Sequence, residues 1–142
     1  MEEMTAREYL NQIRVQDTKI TRLIQEKKIL RSSLLPGGMS YQEHVQNSPD
    51  MDPYGTWMSR LEEIETEINR EIGRLAALRL EVAKTIWQLK NRKHTVVLFM
   101  RYVQLKSFRD IAEYMEYSQR YSCTLHRRAI EEFEKKYNKI SP

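Results

Sequence analysis

The sequence predicts an all-α protein: a long helical hairpin or coiled coil, followed by a compact helical region at the C-terminal end. The 142 residues include only 4 glycines and 4 prolines, too few for the closely spaced turns of a many-stranded β-fold. Apolar residues also recur at every third or fourth position between Leu61 and Leu89, which is the spacing of one helix face.

The first predicted helix covers residues 5 to 31. Its start, Thr5 to Glu8, has the capping-box pattern, in which a hydroxyl and a carboxylate each accept a backbone N–H bond. The apolar residues that follow lie on roughly one helix face: Leu10, Ile13, Ile20, Ile24 and Leu30. Residues 32–52 contain a helix-breaking PGG sequence and are predicted to form a loop, the least ordered internal part of the chain.

The second predicted helix begins between Asp52 and Trp57 and ends near Lys90. Its apolar positions are spaced by roughly 3.5 residues, the coiled-coil period, and they are Leu61, Ile64, Ile68, Ile72, Leu75, Leu78, Val82, Ile86 and Leu89. The shorter first helix cannot cover this whole stripe, and uncovered apolar surface marks an interface. We therefore expect a homo-oligomer that forms through the following residues of the second helix: Ile68, Ile72, Leu75, Leu78 and Val82.

Positive charge is concentrated in the last third of the chain. Residues 92–142 contain eleven Lys or Arg against six Asp or Glu, whereas residues 57–91 contain six of each. This excess favours a phosphate-backbone partner, although a solubilising basic face would give the same count. The composition predicts two domains: a coiled-coil or oligomerisation region at 1–91 and a DNA-binding domain at 92–142.

The spacing of residues 107 to 125 is typical of a helix-turn-helix. Ser107 and Ser118 are predicted to cap its two helices. This pattern requires apolar or small residues at five positions, which are filled by Ile111, Ala112, Met115, Tyr117 and Leu125. Glu116 stands where glycine is usual, and Ser122 stands where Val or Ile is usual. An ordinary helical hairpin without a DNA partner remains the alternative at this stage.

Two family resemblances follow from these segments. The stretch FMRYVQLKSFRDIAEYMEYSQRYSCTLHRRAIEEF resembles the fourth region of bacterial sigma factors, which binds the promoter −35 element through a helix-turn-helix. Nearly the whole chain, including YLNQIRVQDTKI, HVQNSP and LEEIETEINREI, resembles the ArpU/RinA-type late transcription regulators of phages and prophages. The resemblance implies a phage- or prophage-encoded activator of late genes that acts in the cytoplasm of the bacterial host.

The N-terminal half of the second helix of a helix-turn-helix contacts base edges in the major groove. Here that segment is 119–128, and the predicted base contacts, which match base-facing positions of the sigma-like family, are Gln119, Arg120, Cys123 and Thr124. A glutamine suits adenine and an arginine suits guanine. The predicted contacts to the DNA backbone are Lys106, Arg109, Ser118, Tyr121, Arg127 and Arg128. Each of these residues could equally be a solvated surface side chain.

The sequence contains no recognisable catalytic or metal-binding pattern. The three histidines lie in separate segments, and Cys123 with His126 supplies only two potential metal ligands. There is no glycine-rich phosphate loop, and the longest apolar run, Val96 to Met100, is too short to span a membrane. We therefore expect no enzyme, cofactor, metal or membrane partner.

Two other functional classes fit the same features. A phage DNA-packaging protein of the small-terminase type also joins a helix-turn-helix to a helical oligomerisation segment, although its DNA-binding domain usually comes first. A coiled-coil adaptor would instead use the C-terminal helices to bind protein, for example host RNA polymerase. A DNA-binding measurement separates these classes from a transcription activator that binds double-stranded promoter or operator DNA.

Overall fold

The computed structural model describes residues 4–33 and 53–140, with the backbone alone at position 140. Every regular element in these two ranges is helical, which confirms the predicted all-α class. The elements are α1 (Ala6–Ser32), α2 (Pro53–Ile86), α3 (Arg92–Leu98), a π-helical stretch (Phe99–Val103), α4 (Phe108–Met115) and α5 (Gln119–Ile140). None of these helices is both long and apolar enough to cross a membrane. The loop predicted at 32–52 lies outside the described residues from position 34 onward.

Contacts between residues divide the described chain into two compact units. The small unit contains residues 16–33 and 53–74, and the large unit contains residues 4–15 and 75–140. Each of the two long helices therefore contributes residues to both units. The domain division at position 91, which rests on composition, stays a prediction.

The small unit is formed by α1 and α2 alone. One apolar cluster holds it together: Leu23, Ile64 and Ile68, with Leu30 packed against them. The Trp57 indole N–H donates to the Leu30 carbonyl at 2.7 Å. Glu65 lies 3.3 Å from both Lys27 and Arg31. These contacts bury an apolar strip between the two helices and leave ion pairs along its edge.

The apolar stripe of each long helix differs from the prediction at one position. Ile24 and Ile72 belong to the predicted stripes, yet they are 37% and 48% exposed. Leu23 and Glu71 take the inward positions instead, at 3% and 2% exposure. Residues three and four positions after an inward residue both lie near the same helix face, so spacing alone does not decide between neighbours.

The buried position of Glu71 is explained by polar partners on α1. Its carboxylate accepts hydrogen bonds from the Gln16 amide and from the Lys19 ammonium, the latter at 3.2 Å. Arg74, one turn further along α2, lies 3.2 Å from the same carboxylate. The Gln16 hydrogen bond, opposed by burial and assisted by Lys19 and Arg74, lowers the pKa of Glu71. The carboxylate is thus charged and fully partnered, as a buried ion must be.

The large unit is built around α5, against which both α3 and α4 pack. The apolar face of α5 is fully buried and consists of Leu125, Ala129, Ile130 and Phe133. The first turns of α1 complete this core, because the Tyr9 ring stacks 6.1 Å from Phe133 and lies 5.2 Å from Tyr137. The Tyr9 hydroxyl also forms a 2.9 Å hydrogen bond with Thr85 Oγ1 on α2. Residues from both ends of the chain therefore share one core.

The second long helix ends at Ile86, whereas the sequence predicts an end near Lys90. The helix closes with a bond from the Leu89 N–H to the Ile86 carbonyl, at 3.1 Å. Asn91 then caps α3, since its side chain accepts from the N–H groups of Lys93 and His94. An N-cap residue requires extended backbone, and Asn91 has φ −82° and ψ 113°. The chain must therefore leave the helical conformation before Asn91.

Candidate nucleic-acid interface

Helix α4 and the turn after it are shaped by two backbone features. The Ser107 hydroxyl caps α4 by accepting from the Asp110 N–H at 3.1 Å. At the other end, Glu116 has φ 60° and ψ 40°, which is left-handed backbone. The Tyr117 N–H then donates to the Ala112 carbonyl at 3.0 Å. The position where glycine is usual thus has a glycine-type conformation here, and a side chain in it costs on the order of 1 kcal/mol.

Helix α5 starts with a second serine cap. The Ser118 hydroxyl accepts from the Tyr121 N–H at 3.1 Å. Ser122, which stands where an aliphatic residue is usual, is fully buried, and its hydroxyl donates to the Ser118 carbonyl at 3.1 Å. That bond satisfies the buried hydroxyl within the first turn, so the substitution leaves no unpaired polar group.

Helices α4 and α5 pack through the positions that the spacing predicts. Ile111, Ala112 and Leu125 are at most 5% exposed. Met115 and Tyr117 are half-buried at the end of α4 and in the turn. The small side chain of Ala112 lets the two helices approach closely at this point.

The four predicted base-contacting residues lie on the first two turns of α5. Gln119, Arg120 and Cys123 are exposed, and Thr124 is half-buried. The Thr124 hydroxyl donates to the Arg120 carbonyl at 3.2 Å, which leaves both lone pairs on its oxygen for a further partner. An amide, a guanidinium and a hydroxyl are therefore presented within two helical turns.

The predicted backbone contacts include four exposed cations: Lys106, Arg109, Arg127 and Arg128. None of them, nor Arg120, forms an ion pair with another residue of the described ranges. Residues 119–128 contain three arginines and no acidic residue, so this half of α5 is uniformly positive. The acidic side chains of the region lie on α4 and in the turn after it, at Asp110, Glu113 and Glu116.

Ser118 and Tyr121, the two remaining predicted backbone contacts, are both engaged locally. The Ser118 oxygen accepts from the α5 backbone, yet its hydroxyl proton is available to a phosphate oxygen. The Tyr121 side chain is 38% exposed and meets the Tyr117 ring edge-on, with centroids 4.8 Å apart. Their position at the start of α5 suits a phosphate on the DNA backbone.

His126 belongs to the packing of the large unit. Its Nε2 forms a 2.8 Å hydrogen bond with the Tyr102 hydroxyl, and its ring meets Phe108 edge-on at 5.0 Å. Burial, assisted by the positive charges of Arg101 and Arg7, lowers the pKa of His126 to about 4. The imidazole is therefore neutral at physiological pH and contributes no charge to a DNA-facing surface. Within the described part of the chain, no group of three metal-ligating side chains is present.

Two cations lie over aromatic rings in contacts that the sequence does not indicate, one at the turn after α4 and one at the start of α4. The Lys93 ammonium lies 5.7 Å from the centre of the Tyr117 ring, and a hydrogen bond to Tyr117 raises the pKa of Lys93. The Arg101 guanidinium lies 4.3 Å from the centre of the Phe108 ring and donates to the Lys106 carbonyl. Both partners belong to other elements, so no local spacing could have revealed these contacts.

The five residues predicted to form the oligomer interface do not share one surface. Ile68, Leu75 and Val82 are at most 8% exposed and are covered by the chain itself. Leu78 is half-buried, and Ile72 is 48% exposed. Of the five, only Ile72 and Leu78 present surface to a second chain without unpacking.

Comparison of the sequence with protein-family models, with curated proteins and with solved structures gave no match.

Proposed function

We propose that this chain is a phage- or prophage-encoded transcription regulator that binds double-stranded DNA and activates late genes. In this proposal, residues 92–142 form a sigma-region-four-like helix-turn-helix domain, and residues 1–91 form a helical hairpin that mediates oligomerisation. The observation behind it is the capped start of α5, where Arg120, Arg127 and Arg128 are exposed and have no acidic partner among the described residues. The class of target gene rests on the family resemblance alone.

The unpaired arginines support DNA binding for an energetic reason. A surface arginine within reach of a carboxylate commonly forms an ion pair, as Arg31 does with Glu65 and Arg60 does with Glu63. Arginines without such a partner are free to neutralise phosphates and to release the counterions condensed on DNA. The positive field of a helix N-terminus adds to this attraction, because Ser118 leaves further N–H groups of the first turn open.

The proposal assigns a role to each group of residues. The first two turns of α5 enter the major groove, where Gln119 and Arg120 donate to base edges and Cys123 and Thr124 lie against neighbouring bases. Lys106, Arg109, Arg127 and Arg128 bind phosphates and fix the register of α5 on the duplex. Ser118 and Tyr121 add hydrogen bonds to the phosphate nearest the start of α5.

Footprinting on the genome that encodes the chain tests this proposal. We expect one or a few protected sites upstream of late genes, with protected bases on the major-groove side, and an affinity that falls steeply with salt. Protection confined to a packaging-start site would instead support the DNA-packaging class. No protection and no mobility shift at 50 mM salt would refute DNA binding, and would leave the protein-binding adaptor.

A further inference from the structure

The geometry points to a ligand site in the large unit for a small aromatic carboxylate. A cavity of about 400 Å³ lies beside the π-helical stretch, within the size range of pockets that hold small organic ligands. Its walls include three aromatic residues, Trp87, Phe99 and Tyr114. Among the residues that line it, the DNA-binding proposal uses Lys106 alone.

The walls select a flat, apolar ligand. The Trp87 and Phe99 rings lie 5.9 Å apart at an angle of 46°, and Val96 and Met100 add aliphatic surface. Trp87 and Tyr114 are 53% and 71% exposed, so two large rings stand uncovered at the cavity. A planar ring system would bury these faces, and such aromatic contacts are worth more than their area alone.

The polar residues at the cavity favour a ligand that carries one negative charge. Gln104 and Lys106 line it, and none of the described residues around it is acidic. The Lys106 ammonium has no ion-pair partner in the described ranges. A carboxylate on the ligand would pair with this ammonium and accept from the Gln104 amide, which are charge-assisted bonds.

Two backbone irregularities flank these residues. Phe99 and Met100 begin the π-helical stretch, which ends with a bond from the Gln104 N–H to the Phe99 carbonyl. Leu105 then has φ 58°, a left-handed conformation that is costly for a branched residue. π-Helical turns and left-handed non-glycine residues both occur preferentially at functional sites. Here they bring a ring, a thioether, an amide and an ammonium to one cavity.

Calorimetric titration with 1-naphthoate, and with the neutral 1-naphthalenemethanol as its matched probe, tests this site on the full chain without DNA. We expect the carboxylate to bind about tenfold more tightly than the alcohol. Lys106→Gln should abolish that preference, whereas Arg92→Gln, which removes an exposed cation outside the cavity, should retain it. Val96→Trp, which fills the cavity, should weaken both probes at least tenfold.

Tyr114→Ala covers the case in which Val96→Trp fails to fold, since Tyr114 is mostly exposed and its removal opens one wall. It should weaken both probes while circular dichroism shows an unchanged helix content. The inference is wrong if the unmodified chain binds no 1-naphthoate. It is also wrong if Lys106→Gln keeps the preference for the carboxylate, or if removing the wall leaves both affinities unchanged.

Discussion

At the residue scale, Arg120 and Lys106 differ in what each is proposed to contact. Arg120→Ala should weaken specific binding by about 1–3 kcal/mol and relax the preference at one base pair. Lys106→Ala should weaken binding to all sequences alike and reduce the slope of affinity against salt by about one. Binding isotherms on a set of single-base operator variants measure both effects.

Arg60→Ala is the matched control for these variants. It removes one positive charge from the small unit, where Arg60 pairs with Glu63, so it should change DNA affinity little. Identical profiles for Arg120→Ala and Lys106→Ala across all operator variants would show that base and backbone roles are wrongly assigned.

The left-handed backbone conformation at Glu116 leads to a prediction about stability. Glu116→Gly should raise the free energy of unfolding by about 0.5–1 kcal/mol, because glycine adopts a φ of 60° without the steric cost of a side chain. Glu113→Gly is the control, since Glu113 is an exposed residue within α4. It should lower the free energy of unfolding by about 1 kcal/mol. Urea denaturation measures both, and equal signs for the two variants would contradict the prediction.

The lowered pKa of His126 predicts how the free energy of unfolding depends on pH. The folded-state pKa is about 4, whereas an unfolded histidine has a pKa of about 6.5. Between these values the unfolded chain binds more protons than the folded chain, so the free energy of unfolding falls as pH decreases from 6.5 towards 4. Above pH 6.5 the contribution of His126 is fully present. We expect a loss of about 1–2 kcal/mol at pH 4.5, below the full value of the shift because the ring is only half-buried.

His126→Gln isolates this effect, because glutamine keeps a polar partner for Tyr102 but does not titrate. The difference in unfolding free energy between pH 7 and pH 4.5 should be smaller in the variant, while carboxylates contribute equally to both proteins. An NMR titration that places the His126 pKa near 6.5 in the folded protein would contradict the prediction.

At the element scale, the buried Glu71 fixes how α1 and α2 pair in the small unit. Glu71→Ala should lower the unfolding midpoint, because it leaves Gln16 without its side-chain partner and Lys19 without its ion pair. Glu67→Ala, on the same helix and outside this hydrogen-bonded group, is the comparison and should change the midpoint little. Thermal denaturation followed by circular dichroism measures both, and a Glu71→Ala midpoint equal to the Glu67→Ala midpoint would contradict a structural role.

The helices themselves follow from the sequence with little error. Pro53 starts α2, and the capping serines Ser107 and Ser118 mark α4 and α5 as predicted. These signals are local, since a cap acts within three residues of itself. The early end of α2 is also local in origin, but its cause is the Asn91 cap, a signal that the continuing apolar stripe obscures.

The choice of inward residues does not follow from spacing. Ile72 is apolar and matches the coiled-coil period, yet Glu71 is buried in its place. Only the presence of Gln16 and Lys19 across the helix pair makes that exchange possible, and partners more than fifty positions away are invisible to a periodicity argument. The Lys93–Tyr117 and Arg101–Phe108 contacts are closer in sequence, but each joins two different elements, so the period of one helix does not predict them either.

At the scale of the whole molecule, the exposure of Ile72 makes it the residue to substitute in a test of oligomerisation. We expect a homodimer or higher oligomer, with a mass of about twice the 17.1 kDa of the chain or more by light scattering at micromolar concentration. Ile72→Asp should shift the mass to that of a monomer without unfolding the chain, because the side chain is 48% exposed. Leu75→Asp is unsuitable as a test, since Leu75 is 8% exposed and an aspartate there would lack partners.

Arg70→Asp provides the control for charge, because Arg70 is exposed and two positions from Ile72. It should leave the oligomer mass largely unchanged. A mass near 17 kDa for the unmodified chain at every concentration tested would refute the oligomer.

The shared core of the large unit has a consequence for biosynthesis. Tyr9 stacks on Phe133, Arg7 lies 3.6 Å from Glu134, and the Tyr137 hydroxyl donates to the Met4 carbonyl. Met4 and Tyr137 are 133 positions apart, so the ribosome releases one side of this core long before the other. Until α5 has emerged, Tyr9 lacks Phe133, the ring on which it stacks in the folded chain. The large unit therefore closes only after α5 has left the ribosome, and a nascent chain stalled before α5 should remain open to protease around Tyr9.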